Sequence, residues 1–120
     1  MNNLGYYNGK IGPIEEMTVP MTDRAFYFGD GVYDAVLCRN DIPYLLSVHL
    51  ERFYKNCGIL NINIPMEKND LSALIEDLVK RVEGKEKFIY FFGNYHRFFL
   101  LCYQITVCKT FNLILNRVKI

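Results

Sequence analysis

Apolar residues recur at helical spacing in one stretch of the chain. Leu71, Leu74, Ile75, Leu78, Val79 and Val82 fall at i, i+3, i+4, i+7, i+8 and i+11, so they share one stripe of a helix. Asn69 or Asp70 is placed to cap its start and Gly84 to end it. A shorter helix is predicted over Val48 to Cys57, with Ser47 as N-cap and Gly58 as stop.

The rest of the chain reads as short strands between turn signals. Asn8-Gly9 lies between Leu4–Tyr7 and Lys10–Ile14. Both turn positions tolerate positive φ, which predicts a β-hairpin. A loop is expected through Glu15 to Asp23, where Pro20 excludes regular structure. Asp30-Gly31 is a second turn, and Gly31 to Cys38 alternates as a strand should. Arg39-Asn40-Asp41 reads as a tight turn into a return strand over Ile42 to Leu46, and Lys87 to Phe92 as a further strand. Two hairpins, two helices and one more strand make an α+β domain.

The pattern breaks after Phe92. Phe98 to Leu115 is mostly apolar but interrupted by Gln104, Lys109 and Asn112. It shows neither helical nor alternating periodicity. Its length would suit a membrane span, but Lys109 near the middle would cost about 2.5–3.5 kcal/mol on insertion, which disfavours that reading. The segment is expected to be a poorly patterned tail, dividing the chain into residues 1–92 and 93–120.

Composition narrows the function classes. A chain of 120 residues that is 51% hydrophobic holds one modest core. A net charge of +1 gives no electrostatic case for nucleic acid or an acidic membrane surface. The four cysteines include no C-x-x-C pair and there are only two histidines, so no zinc site is expected. A disulfide framework is possible by count but lacks a secretory context. The N-terminus has no basic start followed by an apolar run. The reading is a reducing, cytoplasmic protein.

Two stretches carry candidate chemistry. Asp23 to Val36 contains Phe28-Gly29-Asp30-Gly31-Val32-Tyr33, a glycine-flanked turn that permits close backbone approach. His49-Leu50-Glu51-Arg52 places an arginine on a helix, where its fork of donors can grip a phosphate. Singly, each has an ordinary structural reading. Arg52 is then an ion-paired surface residue, Tyr33 a half-buried strand residue and His49 a satisfied histidine.

In combination they resemble something specific. An N-G-K run, a P-x-x-DR-x-x-x-FGDGVY-[DE] block and an H-[LI]-[DE]-R-[FL] motif follow in order, over about Leu4 to Phe91. This is similar to the small N-terminal domain of class IV (fold-type IV) pyridoxal-phosphate aminotransferases. The GYYNGK opening and FGDGVYDA block are most similar to the D-amino-acid branch. The resemblance implies an antiparallel sheet with two helices, pyridoxal phosphate as cofactor, and amino acids with 2-oxo acids as substrates. D-alanine is the expected amino acid, and an intact relative is expected to be a homodimer. Aminodeoxychorismate lyase is the alternative within the family; a non-catalytic remnant or dimerisation domain is the alternative outside it. By the same resemblance Arg52 binds the cofactor phosphate and Tyr33 helps fix the substrate. Val32 and Asp34 are neighbours of that tyrosine, Arg24 organises the turn, and His49 is structural.

The family pattern is not followed to the end. The resemblance implies a Schiff-base lysine in a large second domain. None of Lys10, Lys55, Lys68, Lys80, Lys85, Lys87, Lys109 and Lys119 stands in the expected context, so no catalytic residue is assigned and the chain alone is expected to be inactive. His96 and Arg97 do not match the R-x-H that follows this strand in the D-amino-acid branch. Back-translated and read one base later, Gly93 to Phe99 permits Val-Thr-Thr-Thr-Gly-Ser-Ser, similar to the family's segment there. The expectation is out-of-frame translation ending at an early stop. Gene sequencing checks it: a lysine-bearing domain should continue in another frame, and its absence would contradict the expectation.

Overall fold

The computed structural model describes residues 2–24, 28–95 and 97–105. Asn8 and Gly9 take φ of 53° and 87°, as a two-residue hairpin turn requires. They join β1 (Asn3–Tyr7) to β2 (Lys10–Gly12). Asn40 and Asp41, at φ 52° and 62°, do the same between β3 (Val32–Arg39) and β4 (Ile42–Pro43). With β5 (Glu86–Gly93) and β6 (Phe98–Gln104) these form one six-stranded sheet in the order β2-β1-β6-β5-β3-β4. Every neighbouring pair is antiparallel. The α+β expectation, with its antiparallel sheet and two helices, is met.

Both helices serve one face of this sheet. α1 (Leu46–Ile59) buries Leu46, Leu50, Phe53 and Cys57, and α2 (Lys68–Arg81) buries Leu71, Ile75, Leu78 and Val79. From the strands, Leu4, Val36, Ile89, Phe91, Phe98 and Leu100 join the same core. The Phe53 ring stands edge-on to Phe91 at 4.8 Å and tilts against Phe98 at 6.2 Å, the offset geometry that aromatic quadrupoles favour. Lys87 also points into this layer. Its ammonium meets Asp41 Oδ1 at 2.5 Å and the carbonyl of Val79, so a buried charge is met by a carboxylate and a carbonyl.

Several boundaries differ from the sequence reading. α1 starts at Leu46, so Ser47 lies inside its first turn. The N-cap is Leu45, left-handed at φ 52° with no side-chain cap. Gly58 is helical; the chain turns out at Asn61 (φ 56°), while Ile62 N–H closes back to Cys57 O. The return strand ends at Pro43 and Leu46 belongs to the helix. α2 begins before Asn69 and Asp70, from an extended Glu67. Asp70 instead complements the helix dipole in the first turn, as Lys80 and Arg81 do in the last.

The poorly patterned stretch also contains a strand that the sequence reading did not assign. Phe98 to Gln104 is a strand, inserted between β5 and β1. Phe98, Leu100 and Cys102 face the helices, and Phe99, Leu101 and Tyr103 are half-buried on the other side. Apolar residues on both faces of an inner strand erase the polar alternation that would have marked it. This also removes Phe98–Gln104 from any membrane helix. Among the described residues no helix is long and apolar enough to cross a membrane. The remainder of the apolar stretch, with Lys109 and Asn112, lies outside the described residues.

Gly31 shows why the turn before β3 needs glycine. A Cβ there would stand 2.7 Å from Gly93 O and 2.2 Å from Phe92 Cζ. Gly31→Ala must push the end of β5 away, and is expected to cost about 1–3 kcal/mol as overpacking does. Urea unfolding measures it; an unchanged midpoint would contradict this contact.

Candidate functional site

Arg52 lies on α1 beside the buried stripe, with its side chain 60% exposed. Its guanidinium is nevertheless fixed. Nε donates to Asp34 Oδ2 at 2.9 Å and Nη2 to Asp34 Oδ1 at 2.8 Å, a bidentate pair. Asp34 comes from β3, on the helix-covered side, and its side chain is only 4% exposed. It accepts two further bonds at Oδ1, from Ala35 N–H at 2.8 Å and from His49 Nδ1 at 2.9 Å. An ionised carboxylate only accepts, so the contact with Asp34 requires a proton on His49 Nδ1, and the 3.3 Å approach of that nitrogen to Arg52 Nη2, two donors, is proximity alone.

Burial by itself would raise the Asp34 pKa. The hydrogen bonds from Arg52, His49 and Ala35 outweigh it, and the carboxyl is held below its ordinary range. In return, the hydrogen bond to Asp34 raises Arg52 further above its already high value.

Tyr33 is the next residue on the strand and projects from the opposite face. It is 65% exposed and stacks on Tyr90 with centroids 5.6 Å apart. Tyr33 and Arg52 are therefore not in one pocket. They are linked by an edge. β4 pairs only with Cys38 and Arg39, so among the described residues β3 is unpaired on that side over Val32 to Val36. Tyr44 N–H reaches Leu37 O there, and by the strand's two-residue period Ala35 N–H faces the same way. A ligand lying along this edge would meet Tyr33 on one side of the strand and Arg52 on the other.

A second polar cluster closes the same end of the sheet. Asn94 Nδ2 donates to Asp23 Oδ1 at 2.6 Å, and Arg97 donates to Tyr7 Oη at 2.6 Å with Asp23 Oδ2 at 3.5 Å. Arg97 is thus tied to β1 and the loop before β3; His96 lies outside the described residues. Tyr33, Phe92, Phe99 and Tyr7 form a cross-strand aromatic row leading to it. A cavity of about 550 Å³ opens beside that row, lined by Tyr7, Ile14, Met17, Val19, Asp23 and Phe99 among others. Arg24 bridges to Asp30 at 2.5 Å and lies over the Phe28 ring, clamping the turn.

The cysteines among the described residues are buried and quenched. Burial pushes the Cys57 thiol up to about 11 and Cys102 to about 12, so neither offers a thiolate. Cys38 is raised as well, also by burial. The Lys87 amine is sequestered as described.

The sequence reading named Tyr33 and Arg52, took Asp34 only as a neighbour of Tyr33 and His49 as structural. The signal for Asp34 was the strand period, which turns it toward the helix that carries Arg52. The donor set suits a phosphate: Arg52 uses two of its N–H groups on Asp34 and turns its remaining edge outward. Because the folded-state pKa of Asp34 is depressed, its stabilisation is complete above about pH 4 and is lost as pH falls through the lowered value. The difference in unfolding free energy between wild type and Asp34→Asn should be constant near neutrality and shrink below about pH 4. A difference independent of pH would contradict it.

No family model matches the chain. It is 38% identical over 72 residues to D-alanine aminotransferase of Listeria monocytogenes, covering 60% of this chain and 25% of that protein. It is 32% identical over 73 residues to the Bacillus licheniformis D-alanine aminotransferase, covering 61% and 26%. The matches thus span about a quarter of these relatives. The branched-chain aminotransferase of the archaeon Thermoproteus uzoniensis, solved with norvaline, superposes with a TM-score of 0.72 at 15% identity. The superposition covers 85% of this chain and 40% of that one. A hypothetical aminotransferase of Mycobacterium tuberculosis, in a PLP-bound form, gives a TM-score of 0.74 at 17% identity, covering 87% and 40%. At such identities the structural likeness speaks for the fold alone. Curated matches and shared fold together support one reading: over about 60% of its length the chain is similar to class IV aminotransferases, and it has the fold of the N-terminal domain of the fold-type IV enzymes.

Proposed function

We propose that the chain supplies the front half of a site for pyridoxal-phosphate-dependent transamination of D-amino acids, D-alanine with a 2-oxo acid. The carrying observation is Arg52, pinned by Asp34 beside the open edge of β3, with Tyr33 across that edge. Arg52 holds the cofactor phosphate through its outward donors. Tyr33 orients the substrate from the aromatic face. When bound, pyridoxal phosphate supplies the electron sink that amino-group transfer needs. The D-alanine preference is supported by the 38% and 32% identities to the Listeria monocytogenes and Bacillus licheniformis D-alanine aminotransferases.

The covalent anchor is assigned elsewhere. Lys10, Lys55, Lys68, Lys80 and Lys85 are solvent-exposed, and the Lys87 amine is occupied by Asp41 and Val79 O. We take the cofactor-bearing lysine to lie outside these 120 residues, so that the chain alone transaminates little or not at all. The intact assembly is taken to be a cytoplasmic homodimer. From Gly93 onward the sequence has diverged from the family while keeping a strand in the place of β6, an assignment supported by the buried Phe98, Leu100 and Cys102.

Titration of pyridoxal phosphate into the chain, followed by phosphorus NMR, tests the Arg52 role. A charge-assisted contact is worth about 1.5–3 kcal/mol. Arg52→Gln should therefore weaken binding about 10- to 100-fold. Equal affinity in the variant would remove Arg52 from the site.

A further inference from the structure

We infer that Asp34 is the positioning residue of the phosphate site: it sets the plane and direction of the Arg52 guanidinium, with His49 behind it. The inference rests on the Arg52 reading above and goes beyond it. An arginine this exposed on a helix would ordinarily sample many rotamers, and its donors would point at a ligand only part of the time. Here Nε and Nη2 are both engaged by one carboxylate, so the planar group has a single orientation. The carboxylate is itself held by further partners. Its side chain is nearly buried, and it accepts from Ala35 N–H, its own strand's backbone, and from His49 Nδ1. His49 is one helical turn before Arg52 on α1, so the two residues grip Asp34 from the same face.

Charge makes the inference testable by sign. Arg52 and Asp34 cancel, so the pair offers an incoming phosphate aimed donors and little net positive charge. Removing the Asp34 charge makes the site more positive and less ordered. If aim governs binding, affinity falls; if charge governs it, affinity rises.

The experiment uses the whole chain with ¹⁵N-labelled arginine and inorganic phosphate as probe. In wild type the Arg52 Nε–H resonance should persist at neutral pH, while those of Arg39 and Arg81, on exposed pairs, exchange away. Asp34→Asn should lose that resonance and bind phosphate at least about tenfold more weakly, as loss of an organising charged hydrogen bond implies. Asp34→Glu, which keeps the charge, should recover most of the affinity; a simple loss of packing would not be rescued so. Phosphate affinity retained or increased in Asp34→Asn, with Arg52→Gln weak, overturns the inference and leaves the Arg52 reading standing. Arg52→Gln binding as well as wild type overturns both. If Asp34→Asn does not fold, the wild-type resonance decides: exchange as fast as at Arg39 and Arg81 overturns the inference.

Discussion

A strand sends successive side chains to opposite faces, and on β3 that alternation separates Asp34 from Tyr33. One faces the helices and becomes a buried carboxylate; the other faces out among aromatics. A buried carboxylate is tolerable only with partners, and the partners available are His49 and Arg52 on α1. The same constraint therefore docks α1 on β3 and fixes the arginine of the candidate site. A one-residue slip in the β3–β5 register would exchange the faces and dissolve the arrangement.

The rest of the sheet holds that register. β3 pairs with β5 over eight residues, and β5 with β6 over seven. Gly31 lets the turn before β3 close against Phe92 and Gly93, so the strand enters the ladder where Val32 meets Gly93. Phe53 packs α1 onto β5 and β6 at the same height. Packing on the helix side and pairing along the sheet thus converge on the few residues that carry the proposed chemistry.

Much of this was legible in the sequence, for physical reasons. Asn8-Gly9 and Asn40-Asp41 announce hairpins because few residues accept positive φ. The α2 stripe is readable because one face is solvated. β6 was not legible, because Phe98 to Tyr103 is covered on both sides and has no polar face to alternate. The start of α1 was misplaced because a left-handed leucine, not a serine side chain, occupies its cap. Tyr33 and Arg52 were proposed from the motif, but their relation across an open strand edge needed the sheet order. The partners of Asp34 were not legible, because an acidic residue in a strand carries no mark of what faces it.

The central claim is that these residues hold a cofactor by its phosphate and not by a covalent lysine bond. Incubating the purified chain with pyridoxal phosphate, reducing with borohydride and locating adducts by mass tests it most directly. The account predicts no single-site adduct, because among the described residues the lysines are either solvent-exposed or, at Lys87, occupied by Asp41 and Val79 O. A stoichiometric adduct on one lysine would contradict it and place a covalent cofactor site within these 120 residues.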